Sequence, residues 1–199
     1  AKLTASLPEY LTDALQRSVL LLDLLRERGN EQIEITSRPM ATVLRFGHEV
    51  LMSGQSLPRP INYALSRILP PPGVATDARK RPVVVVDPRA GQGPGIGGVK
   101  ADSEIGDALN EGHPVYFIGF GATPAPGQQF LDVVEGQVKF FERVVQLHPD
   151  APRPFAIGNC QAGYQTLMVA MMRPDLFGPC LVAGSPMSYW QGVHGKNPM

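Results

Sequence analysis

Four short apolar runs, alternating with stretches of helical period, constrain the fold of this chain more than any other feature. Pro82-Val83-Val84-Val85-Val86 is unbroken and β-branched, the pattern of a strand covered on both faces. Val115-Tyr116-Phe117-Ile118-Gly119-Phe120, Phe155-Ala156-Ile157-Gly158 and Cys180-Leu181-Val182-Ala183-Gly184 read as further buried strands. Between them the spacing predicts a helix from about Asp102, with Ile105, Ala108 and Leu109 inward and Gly112 ending it. A longer helix follows with Phe130, Val133, Val134, Val138 and Phe141 on one face, then a helix over Gln161–Met172 stopped by Pro174. Strand and helix in alternation, joined by short loops, predict an α/β fold with a mostly parallel sheet flanked by helices. Ligands bind such sheets beyond the C-terminal ends of the strands, so candidate chemistry belongs just after Val86, Phe120, Gly158 and Gly184.

Upstream the texture differs. Leu11, Leu15, Val19, Leu22 and Leu25 recur at helical spacing, which predicts an amphipathic helix from Pro8 to Arg28 stopped by Gly29. Asn30 to Thr42 is polar and reads as a connection. Val43–Met52 and Ile61–Leu69 read as two strands flanking a turn at Ser53-Gly54-Gln55. Pro70-Pro71-Pro72-Gly73 then breaks the chain. The expected division is an N-terminal helical and β-hairpin appendage over 1–72 and an α/β core over 73–199.

Composition narrows the partners. Lys and Arg total 18 and Asp and Glu total 18, and this zero net charge argues against nucleic acid or an anionic membrane as the main partner. The most apolar segment, Val19–Leu25, contains Asp23 and is far shorter than the ~20 residues of a membrane span. It lacks the flanks of a signal peptide. Two cysteines make no disulfide framework, so a cytoplasmic location is expected. The chain starts at Ala1, and Gly195-Lys196-Asn197-Pro198-Met199 resembles mid-loop sequence, so a fragment of a longer protein is expected.

Gly158-Asn159-Cys160-Gln161-Ala162-Gly163 lies where a strand passes into a helix. A nucleophile elbow needs a strained turn with small residues two before and two after the nucleophile, here Gly158 and Ala162. The helix that follows points its positive end at the Cys160 sulfur and favours thiolate. The Gln161 N–H, one residue past the nucleophile, is placed to donate to an oxyanion. A buried structural cysteine at a tight turn is the alternative. Cys180 begins a strand at the opposite end of the sheet. If its strand neighbours that of Cys160 in parallel, ~13 Å separates the two sulfurs, too far for a disulfide.

These residues resemble the α/β-hydrolase superfamily. The run Ile157-Gly158-Asn159-Cys160-Gln161-Ala162-Gly163 carries the likeness, with Met172-Arg173-Pro174-Asp175-Leu176-Phe177-Gly178 after the helix. Cysteine in place of serine points to poly(3-hydroxyalkanoate) synthases or dienelactone hydrolases. Ser103-Glu104-Ile105 through Gly112-His113-Pro114 and Val115 to Phe120 is similar to the segment before the polymerase cysteine. The chain from Leu15-Gln16-Arg17-Ser18 to Ser185-Pro186-Met187-Ser188-Tyr189-Trp190 looks like an uncharacterised bacterial family related to those synthases. The resemblance implies a partial α/β-hydrolase fold and a Cys160 acyltransferase acting on acyl (thio)esters such as 3-hydroxyacyl-CoA, with no cofactor. Dienelactone hydrolases would imply water as acceptor. A silent relative would instead bind polymer granules or a partner through the N-terminal helix, or form a homodimer. Ala162 stands where the synthases have glycine. The acid and histidine of the superfamily's triad follow the nucleophile in the chain, and no residue among the 39 after Cys160 matches either. The 199 residues alone are expected to show slow alkylation of Cys160 rather than turnover.

Asp87-Pro88-Arg89-Ala90-Gly91-Gln92-Gly93-Pro94-Gly95-Ile96-Gly97-Gly98 follows the first buried strand. Gly93, Gly95 and Gly98 match a dinucleotide fingerprint, but Pro94 removes a backbone donor, and Phe120 or Gly121 stands where the ribose-binding acid would be. The hydrolase reading makes Ala90 or Gly91 the second oxyanion donor; a plain surface loop is the alternative. Of the four histidines only His194 follows a strand's C-terminal end, beside Tyr189 and Trp190, and these three are candidate pocket residues. His113 lies at the wrong end of the sheet, His148 ends a helix, and His48 is in the appendage. No cluster has metal-ligand spacing, and Met168, Met171 and Met172 read as helix core or lid.

Overall fold

The computed structural model describes residues 2–37, 44, 46–89, 102–121, 123–188, 191–192 and 195–196. The elements are helix α1 (Lys2–Ser37), strands β1 (His48–Ser53), β2 (Tyr63–Ile68) and β3 (Val83–Val86), helix α2 (Glu104–Asn110), and strand β4 (Val115–Phe120). Helix α3 (Phe130–Leu147), strand β5 (Phe155–Asn159), helix α4 (Gln161–Met172) and strand β6 (Cys180–Ala183) complete them. One six-stranded sheet runs in the order β1-β2-β4-β3-β5-β6. β1, β2 and β4 are joined antiparallel; β4, β3, β5 and β6 are parallel. The fold class is therefore α/β, with a mostly parallel sheet flanked by helices.

Period-two alternation sorts the strand side chains onto two buried faces. Val84 and Val86 of β3 join Leu65, Tyr116, Ile118 and Ala156 against Val134, Phe140 and Phe141 of α3 and Val169 of α4. Val83 and Val85 turn the other way, with Val115, Phe117 and Ile157, against Ile105 and Leu109 of α2. Both faces of β3 are dry, which explains its unbroken valines. Phe130 departs from the expected inner face of α3: it is half-exposed and stands 6.2 Å from the ring of Tyr164. Met168 packs against the core, but Met171 and Met172 face outward.

Two expectations shift. The chain divides into compact units at 1–41 and 42–199, and the β1–β2 hairpin assigned to an appendage over 1–72 shares the sheet of the later strands. Pro70–Gly73 is thus a turn between β2 and β3, because β2 finds its hydrogen bonds on β4. Within the first unit, α1 begins earlier than Pro8 and continues through Gly29 to Ser37. A single helical glycine costs only about 1 kcal/mol against alanine, too little to stop a helix whose neighbours are good formers. No helix among the described residues is long and apolar enough to cross a membrane.

Candidate functional site

The turn between β5 and α4 is built by close approach. Cys160 adopts φ 51° and ψ −127°, a left-handed conformation that side-chain-bearing residues rarely hold. Its N–H donates to the Ala183 carbonyl of β6 at 2.9 Å, and its carbonyl accepts from Gly163 at 3.1 Å, fixing the turn on both sides. A Cβ on Gly158 would lie 2.7 Å from Thr166 Oγ1, 2.8 Å from Gly163 Cα and 2.9 Å from the Ala162 carbonyl oxygen. One on Gly163 would run into Ser185. Gly163 is the small residue that the helix side cannot do without. Ala162, the small residue two positions after Cys160 that the sequence reading named for the turn together with Gly163, is fully buried. The thiol of Cys160 is partly exposed and in no disulfide. Gln161 opens α4, so its N–H belongs to the first turn, which has no intrahelical acceptors.

Asn159, immediately before Cys160, is buried, and its amide nitrogen donates to both oxygens of Glu104 at 3.0 and 2.9 Å. The pair ties the turn to the first residue of α2. On the neighbouring strand, Val86 pairs with Gly158, which sets Asp87 level with Asn159. Asp87 is 1% exposed. One of its carboxyl oxygens accepts the Arg89 N–H at 2.9 Å, and the other is buried without a partner among the described residues. Burial pushes the Asp87 carboxyl up to about 7, against the opposing pull of the Arg89 N–H and guanidinium. Arg89 holds φ 55°. Its guanidinium donates to the Tyr164 hydroxyl at 2.5 Å and the Gln161 carbonyl at 3.2 Å, and its carbon lies 5.2 Å from the centre of the Tyr164 ring. Burial also raises the Tyr63 hydroxyl, which the Arg89 charge partly offsets.

The structure thus brings Cys160, Gln161, Gly158, Ala162 and Gly163 into one turn. Ala90, Gly91, Tyr189, Trp190 and His194, with the glycines of the fingerprint, lie outside the described residues. Cys180 pairs with Ala156 on β5, four residues below Cys160, so the two thiols lie at different levels of the sheet. His113 bonds the Arg81 carbonyl through Nδ1. His148 is buried at the end of α3: its Nδ1 donates to the Ala78 carbonyl at 2.8 Å, and Nε2 pairs with the Tyr116 hydroxyl at 2.7 Å. Sequence reading passed over Asp87, Arg89, Tyr164 and the Asn159–Glu104 pair. The placement of Asp87 straight after four buried valines was the available signal; the others need tertiary neighbours. No group of three or more His, Cys, Asp or Glu among the described residues could hold a metal ion.

A mostly parallel sheet with an elbow between its inner strand β5 and helix α4 defines an α/β-hydrolase-type fold. The chain belongs to the family described as "Protein of unknown function (DUF3141)", whose profile matches residues 13–199. It is 52% identical over 191 residues to the "Uncharacterized protein in ackA 5'region" of Rhizobium meliloti, covering 96% of this chain and 26% of that protein. The chain therefore spans about a quarter of the length of this curated relative. Among solved structures it is similar to the 2-hydroxy-6-oxo-6-phenylhexa-2,4-dienoate hydrolase of Rhodococcus sp. strain RHA1, at 19% identity and TM-score 0.46 over 71% of this chain and 47% of that one. It is also similar to a probable hydrolytic enzyme of Pseudomonas aeruginosa PAO1, at 14% identity and TM-score 0.49 over 74% and 45% of the two chains.

Proposed function

We propose that Cys160 is the nucleophile of an acyl-transfer reaction on acyl (thio)esters. The observation that carries this reading is the left-handed backbone of Cys160 at a turn whose flanking glycines have no room for a side chain. Such strain costs on the order of 1–3 kcal/mol and is kept where the geometry serves a purpose. An ordinary buried cysteine needs none of it.

In the proposed reaction the thiol gives up its proton and sulfur attacks the acyl carbonyl carbon. The carbonyl electron pair moves to oxygen, where the Gln161 N–H and a second donor from 90–91 receive it. Collapse expels the thiol or alcohol of the donor, which takes up a proton, and leaves the acyl group on sulfur as a thioester. A hydroxyl group or water then attacks that thioester, and Cys160 is regenerated as the new ester or acid leaves. The likeness to poly(3-hydroxyalkanoate) synthases favours 3-hydroxyacyl-CoA as donor and a hydroxyl as acceptor. The base and its acid partner are assigned to no residue of this chain. The test is to incubate the full-length protein with 3-hydroxybutyryl-CoA and follow free CoA. Release that disappears in Cys160→Ala is expected; no release, or release unchanged in that variant, contradicts the reading.

A further inference from the structure

Among the described residues, Arg89 and Cys160 are the two that carry side chains at positive φ, at 55° and 51°. They are joined through one residue. The Arg89 guanidinium donates to the carbonyl of Gln161, directly after Cys160, at 3.2 Å, and to the Tyr164 hydroxyl at 2.5 Å. These partners stand 72 and 75 residues further along the chain, on the first turn of α4. Tyr164 is itself backed by the ring of Phe130 of α3, 6.2 Å away. Arg89 is fixed from its own side by Asp87, whose carboxyl accepts its backbone N–H at 2.9 Å and attracts its guanidinium. The Tyr63 hydroxyl of β2 is a further hydrogen-bond partner of that guanidinium. Arg89 thus clasps the end of β3 to the helix turn that follows the thiol.

Gln161 needs such a brace. It is exposed, and the first turn of a helix frays because its N–H groups have no intrahelical acceptors. An oxyanion donor has to stay within about 2.7–3.1 Å of the position the oxygen takes as charge develops on it. We propose that Arg89 is a positioning residue: its fork, bonded to Gln161 and Tyr164, holds the Gln161 N–H on the oxyanion that forms when the Cys160 sulfur attacks the acyl carbonyl. Lysine would carry the same charge but not the rigid fork that meets two acceptors in fixed directions. This role rests on Cys160 being the nucleophile, and it adds to that reading the means by which the oxyanion donor is kept in place.

Two reactions of Cys160 tell positioning of the donor from simple support of the turn. Acylation by 3-hydroxybutyryl-CoA passes through the oxyanion; alkylation by iodoacetamide displaces iodide at a saturated carbon and forms none. Both are followed on the full-length protein by quenching and peptide mass spectrometry. Arg89→Lys and Tyr164→Phe leave the charge at position 89 in place, so a lost cation cannot account for a changed rate. Loss of a whole oxyanion donor costs about 10²–10³-fold; Arg89→Lys, which displaces the donor without deleting it, is expected to slow acylation about tenfold or more, and Tyr164→Phe about threefold or more. Alkylation depends on the thiolate alone and should stay within about twofold of the native rate in both variants. Should Arg89→Lys not fold, Tyr164→Phe decides. Acylation unchanged in the variants, or acylation and alkylation slowed together, overturns the positioning role and leaves the nucleophile reading standing. Native protein that is alkylated at Cys160 but never acylated there refutes the nucleophile reading, and the positioning role with it.

Discussion

Cys160 and Asp87 each hold a state that the surrounding fold imposes. At φ 51° and ψ −127° a side chain is strained, and glycine is not. Cys160→Gly is therefore expected to raise stability by about 1 kcal/mol, while Cys160→Ala, which keeps a Cβ, gains nothing; denaturant midpoints compare the two. Asp87 titrates at about 7 in the folded protein, above the ordinary 3.8 of an unfolded aspartate. Between those values the folded state binds the extra proton, so this contribution is fully present below the unfolded value and is lost as pH rises through about 7. Up to about 1.4 kcal/mol is lost for each pH unit of that window. Asp87→Asn keeps an oxygen to accept the Arg89 N–H and removes the charge. Unfolding at pH 5 and pH 7.5 should then show a smaller fall in stability for the variant than for the native protein.

At the scale of elements, the β5–turn–α4 unit depends on contacts made by α4 and on those reaching it from α2 and from the chain after β6. Gly163→Ala would drive a methyl into Ser185, and Gly158→Ala would press on Thr166 and Gly163. Each is expected to cost about 1–3 kcal/mol or more, read as a fall in melting temperature. Glu104→Ala would leave the Asn159 amide buried without its acceptor, at about 1–3 kcal/mol. Glu104→Gln, which still offers an oxygen, should recover part of that loss. The cores of β3, β4, β5, α3 and α4 were legible in the sequence because each buries a face whose period is local. The ends of α1 were not, because Pro8 reads as a first-turn residue but lies inside the helix, and Gly29 is a stop signal weak enough for good neighbouring helix formers to override. The turn itself was legible from Gly158 and Cys160. The reason Gly163 has no room for a side chain was not legible, because only the structure shows Ser185 against it.

At the scale of the molecule, the strand order β1-β2-β4-β3-β5-β6 was not readable, since pairing between distant segments leaves no local signature. The same reason hid Arg89 and Glu104 from the sequence: their partners lie 75 and 55 residues away. Ile61, fully buried at the entrance to β2, packs beside Gly54 and Gly136 of α3 and so links the antiparallel edge to the helical layer. Ile61→Ala should cost about 2–5 kcal/mol in an equilibrium unfolding experiment. The proposed chemistry takes place at one sulfur on this scaffold. Brief exposure of full-length protein to 3-hydroxybutyryl-CoA, acid quenching and peptide mass spectrometry test it most directly. A hydroxybutyryl adduct on the peptide containing Cys160, removed by hydroxylamine and missing in Cys160→Ala, is the expected result. An acyl group found on another residue, or on none while free CoA accumulates, would contradict it.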